Sequence, residues 1–140
     1  HSFGIEVVDD KDEKKLANMI VSGTEVPASI TRSDFGTHIA NQPNLEVRIH
    51  ENSDRESEKL IPIPENGLLG TAVMDLPENL PARSQVEITF DLDSSGLLNV
   101  RAVLLHDQRE ISTAIQTEHI MTKEQLAEAI ERSRGLTILS

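Results

Sequence analysis

Residues Val86-Glu87-Ile88-Thr89-Phe90-Asp91-Leu92-Asp93 alternate strictly between apolar and polar, then break at Asp93-Ser94-Ser95-Gly96 before a second apolar run, 97–105. A period of two places every second side chain on one face, so this stretch cannot bury a helical stripe and must lie in a sheet with one face on the core. The break ends in glycine, as a tight hairpin needs where a residue takes positive φ. Leu45-Glu46-Val47-Arg48-Ile49 repeats the alternation, and further strands are expected at 3–8, 16–21, 35–39, 69–76 and 110–117. Turn residues separate them at 9–15, 23–24, 62–67 and 77–84. About eight regularly spaced strands predict a mainly β fold, an antiparallel β-sandwich over residues 1–120.

The period changes after Ile120. Thr122-Lys123-Glu124-Gln125 has the form of a capping box, with Met121 and Leu126 placed for a hydrophobic staple, and Gly135 is a stop signal. Residues 121–140 are therefore expected to hold a short C-terminal α-helix and a tail, too short to stand without docking.

The 140 residues suffice for one domain. With no Cys, Trp or Tyr and three Phe, its core must be built from Val, Ile and Leu. The formal charge of −11 disfavours nucleic acid and anionic membranes and favours cationic partners. Absence of cysteine excludes thiolate chemistry and Cys-based metal sites and suits a reducing compartment. No phosphate loop, nucleophile elbow or zinc-binding helix motif is present. Asp91-Leu92-Asp93-Ser94-Ser95-Gly96 opens like a calcium loop, but the twelfth position is Ala102 where a bidentate carboxylate is needed, so a hairpin turn is the better reading. The five histidines, at 1, 38, 50, 106 and 119, show no helical metal-ligand spacing. No enzymatic activity is expected.

An ordered set of motifs carries a family resemblance. Ser2-Phe3-Gly4-Ile5-Glu6 is followed by Gly23-Thr24-Glu25-Val26-Pro27, by Phe35-Gly36-Thr37 with Asn41-Gln42, and by Leu69-Gly70. The run from Gln85 to Asp93 then leads into Gly96-Leu97-Leu98-Asn99-Val100-Arg101-Ala102. Over residues 2–126 this resembles the substrate-binding β-sandwich of the DnaK-type seventy-kilodalton heat-shock chaperones, in a divergent member. The resemblance implies a cytoplasmic protein-folding and stress-response chaperone. Its partners would be unfolded polypeptides, held as extended hydrophobic peptides with basic flanks, and a J-domain co-chaperone. It also implies an upstream nucleotide-binding domain, outside this segment, that would bind ATP and Mg.

Carried over position by position, the resemblance implies a peptide-binding set. Ile5, Val7 and Val8 match the first strand and loop, and Phe35, Gly36 and His38 the second loop. Gln42 matches a polar contact, Leu45 the pocket floor, Val47 the next strand and Val86 the far wall. Val8 and His38 sit where the family places an arch over the bound chain. Without the resemblance, Ile5, Leu45, Val47 and Val86 read as core residues, and a docking sandwich that has lost the groove stays open as an alternative. Ser22, Ala40 and Ser95 depart from positions that couple family members to their lid and ATPase domain. Residues 9–15 and 52–65 form longer connections than usual, and a helix beginning at Lys123 would be only the start of a lid.

Overall fold

The computed structural model describes residues 1–117. Eight strands run as β1 (Ser2–Val8), β2 (Lys14–Ile20), β3 (Ala28–Gly36), β4 (Asn44–Asn52), β5 (Leu68–Asp75), β6 (Gln85–Leu92), β7 (Leu97–Leu104) and β8 (Arg109–Gln116). They form two antiparallel sheets of four, ordered β2-β1-β4-β5 and β3-β6-β7-β8. The inner faces meet in a core that includes Phe3, Ile5, Val47, Ile49, Val86, Ile88, Phe90, Leu98, Val100 and Leu104. Phe3 and Phe90 are wholly buried, so two of the three phenylalanines serve the sheet–sheet seam. The expected helix at 121–140 lies outside the described residues.

The alternating run and the hairpin behave as the sequence requires. β6 pairs with β7 from Val86↔Leu104 to Leu92↔Leu98. Gly96 closes the turn at φ 85°, while the Asp93 carboxylate accepts the Ser95 and Leu97 backbone N–H groups. That carboxylate belongs to a hairpin, and these bonds, with one from the Ser95 hydroxyl, hold it below its ordinary pKa.

β3 corrects the expected strand at 35–39: it spans Ala28–Gly36, and residues 37–39 belong to the following loop. Its sequence, Ala-Ser-Ile-Thr-Arg-Ser-Asp-Phe-Gly, carries no alternation because it is an edge strand. Pairing with β6 satisfies its backbone on one side, and most of its side chains meet solvent. A register shift between Arg32 and Phe35 brings Phe35 against the core, with the Arg32 guanidinium 4.8 Å from its ring centroid.

The long β4–β5 connection is a strap. Leu16 and Ile61 exchange backbone hydrogen bonds of 2.8 and 3.0 Å, so the connection reaches the outer edge of β2 and blunts it. Asn18 and Asn52 exchange side-chain bonds, Asn18 also donates to the carbonyls of Asp54 and Glu56, and the Ser2 hydroxyl donates to Asp54. Gly4 makes room for this packing, since a Cβ there would stand 2.5 Å from the Ala17 carbonyl and 2.9 Å from Asn18.

Candidate functional site

The first sheet is split at one end. β1 and β4 pair from Ser2↔Asn52 to Ile5↔Ile49, and there the ladder stops. β1 continues to Val8, paired only with β2, and β4 begins as far back as Asn44, paired only with β5. Two strand edges therefore face one another without a shared ladder, each turning alternate N–H and C=O groups toward the gap. The β1–β2 loop, residues 9–13, tips one prong of this fork, and the β3–β4 loop, residues 37–43, tips the other.

Both tips are braced. Asp9 accepts the backbone N–H groups of Lys11 and Glu13 on one carboxylate oxygen, and its own N–H bonds to the Glu13 carbonyl. These N–H bonds, with nearby Lys15 and Lys11, hold the Asp9 carboxyl below its ordinary value. In the other loop, the Gln42 Oε1 accepts from the His38 and Ile39 N–H groups while its Nε2 donates to Asn44. Thr37 and residues 81–84 exchange four bonds: Thr37 N to Ser84 O, Arg83 N to Thr37 O, the Thr37 hydroxyl to Pro81 O, and Ser84 N to the Thr37 hydroxyl. Gly36 allows that approach, a Cβ there standing 3.3 Å from the Arg83 backbone.

The base of the fork carries a charged cluster on the outer face. Glu6 Oε2 accepts from Arg48 Nε at 2.9 Å and from His50 Nε2 at 2.5 Å, and Arg48 also reaches Glu46 at 3.1 Å. Burial is the largest single influence on Glu6 and acts upward, but the His50 and Arg48 hydrogen bonds and charges together outweigh it and hold the carboxyl below 4.5. His50 is almost fully buried, and its Nδ1 has no partner among the described residues.

The ten expected contact residues fall into three groups. Ile5, Val47 and Val86 point into the core and are nearly inaccessible. Val7, Phe35 and Leu45 are half-buried and packed against it, with Phe35 opposite Val86 across the β3–β6 ladder. Val8, Gly36 and His38 are exposed at the prongs, and Gln42 is half-buried beneath its loop. The first group thus belongs to the core and the second to its partly exposed margin, while the last lies at the rim. Across the mouth the ion pair is His38 Nε2 to Asp12 Oδ1 at 3.3 Å. Sequence reading missed Asp12 and the Glu6–Arg48–His50 cluster. The outward parity of Glu6, Arg48 and His50 was visible, but their convergence depends on register between distant strands.

Two open clefts lie elsewhere. One, of about 360 Å³, is lined by Pro27, Ala28, Asp91 and Asn99 among others. The other, of about 560 Å³, lies between His1 and the strap at Ile61, Pro62 and Pro64. None of the ten residues lines either. No group of three or more His, Cys, Asp or Glu side chains is placed to hold a metal ion among the described residues.

Residues 1–136 match the family described as Hsp70 protein. The chain belongs to the Hsp70 family. The eight-stranded two-sheet architecture of this Hsp70-family chain suits a chaperone-type substrate-binding region.

Proposed function

We propose that this Hsp70-family chain holds extended hydrophobic segments of unfolded polypeptides in the fork between β1 and β4, as a non-enzymatic substrate-binding domain. The observation that carries the reading is the end of the β1–β4 ladder at Ile5↔Ile49 while both strands continue. An extended peptide lying between the prongs supplies the missing main-chain partners, which bind any sequence. The Val7, Phe35 and Leu45 lining supplies the preference for an apolar side chain. In this reading ATP and Mg are bound by a nucleotide-binding domain outside residues 1–140, a J-domain protein is a further partner, and the setting is cytoplasmic. In this reading the domain itself uses no cofactor.

The test is binding of a labelled short peptide with a Leu-rich centre and Arg flanks, followed by fluorescence polarisation. Micromolar-range binding is expected, weakened at least several-fold by Leu45→Trp and lost when alternate peptide nitrogens of the probe are methylated. Binding unaffected by N-methylation would refute the main-chain mode. The alternative, a docking module without a working groove, draws on the complete burial of Val47 and Val86. It predicts no peptide binding by the folded domain and a partner footprint on the outer sheet face.

A further inference from the structure

The mouth of the fork is spanned by a carboxylate–imidazole pair. Asp12, in the left-handed region at φ 62°, tops the braced β1–β2 loop, and His38 tops the braced β3–β4 loop. Their side chains stand 3.3 Å apart, 80% and 48% exposed respectively, so solvent protons reach both. Each loop is held to its own prong by backbone bonds, and the pair joins one prong to the other. The charged groups on the segments meeting there are Asp9, Asp10, Lys11 and Glu13 beside Asp12, Lys14 and Lys15 at the start of β2, with Lys15 paired to Glu13, and Arg83 in the segment bonded to Thr37.

We propose that Asp12 and His38 form a proton-sensitive clasp across the fork. With the imidazole charged the clasp holds and peptide exchange is slow; with it neutral the prongs part more readily and both association and dissociation quicken. This rests on the peptide-binding reading. The rim residue that the resemblance assigns to an arch thus has a second, ionic role, with Asp12 as its partner. An exposed ion pair contributes little, so the effect on the rates should not exceed about fivefold.

Stopped-flow association and dissociation of the labelled Leu-centred, Arg-flanked peptide, between about pH 5.5 and 8 where imidazoles change charge, tests it on the 140-residue chain. The wild type should slow both rates two- to fivefold toward the acid end. Asp12→Asn and His38→Ala should exchange fast at every pH, and His38→Lys, with a permanent charge, slowly at every pH. Thermal unfolding of these surface variants should match wild type. A pH dependence that survives in Asp12→Asn and His38→Ala overturns the clasp while leaving the fork as the peptide site. Absence of peptide binding at any pH in all variants overturns the peptide reading, and the clasp with it. His38 ring resonances that ignore Asp12→Asn in the free chain overturn the ion pair itself.

Discussion

Glu6 shows how a single carboxylate fixes the geometry of the fork's base. It follows the last residue of β1 paired with β4, and its bonds to Arg48 and His50 tie β1 to β4 at the point where that ladder ends. Because folding lowers its pKa, ionised Glu6 stabilises the native state fully above its unfolded value of about 4.5, and that contribution is lost as pH falls through the lower folded value. Glu6→Gln should therefore cost about 1.5–3 kcal/mol at pH 7 in urea unfolding, the range of a hydrogen bond to a charged group. The gap between variant and wild type should narrow near pH 3. An equal gap at both pH values would mean that shape rather than charge carries the interaction. If the fork needs this tie, peptide dissociation should also quicken in the variant.

At the scale of elements, the strap is the structure's most specific claim. Asn18 gathers Asn52, Asp54 and Glu56 onto the outer side of the first sheet, and a Cβ at Gly67 would stand 2.3 Å from the Glu51 carbonyl, where backbone cannot yield cheaply. Gly67→Ala should accordingly destabilise the domain by about 1–3 kcal/mol, as forced overpacking does. Asn18→Ala should instead raise amide exchange selectively at Leu16, Ile61 and the connection between them, leaving β6 and β7 protected. Uniform deprotection would show that the strap is integral to global folding rather than a local unit.

The same contrast explains what the sequence could disclose. β6, β7 and β4 were legible because each has one face in water and one in the core, so burial is written as alternation. β3 was misplaced because an edge strand needs only a partner's backbone, and its residues 28–34 carry little burial signal. The fork was not legible from pattern at all: that β1 and β4 pair from Ser2↔Asn52 to Ile5↔Ile49 and then separate is a property of register. The resemblance placed ten residues around it, but it could not reveal that Asp12 meets His38, since that contact depends on how two loops are braced.

For the whole molecule, net charge bears, in the peptide-binding reading, on how a ligand arrives. The net −11 is spread over a chain whose β1–β2 loop alone carries Asp9, Asp10, Asp12 and Glu13, placing carboxylates beside the mouth of the fork. Such a field attracts Arg-flanked segments over about a Debye length, roughly 8 Å at physiological salt and 3 Å at 1 M, whereas the main-chain bonds and apolar contacts that hold a seated peptide are short-ranged. In His38→Ala, which lacks the clasp, raising ionic strength from about 0.05 to 0.5 M should therefore lower the association rate of the Arg-flanked probe several-fold and leave its dissociation rate nearly constant. A probe with the same Leu-rich centre and Ser flanks should associate more slowly at low salt and show little salt dependence. Replacing Asp9 would unpick the loop that it braces, so the exposed Asp10 is the better site for a charge change: Asp10→Asn should reduce the salt slope without altering stability. Salt-independent association of the Arg-flanked probe would show that the acidic surface has no part in capture, and affinity would then rest on the fork alone.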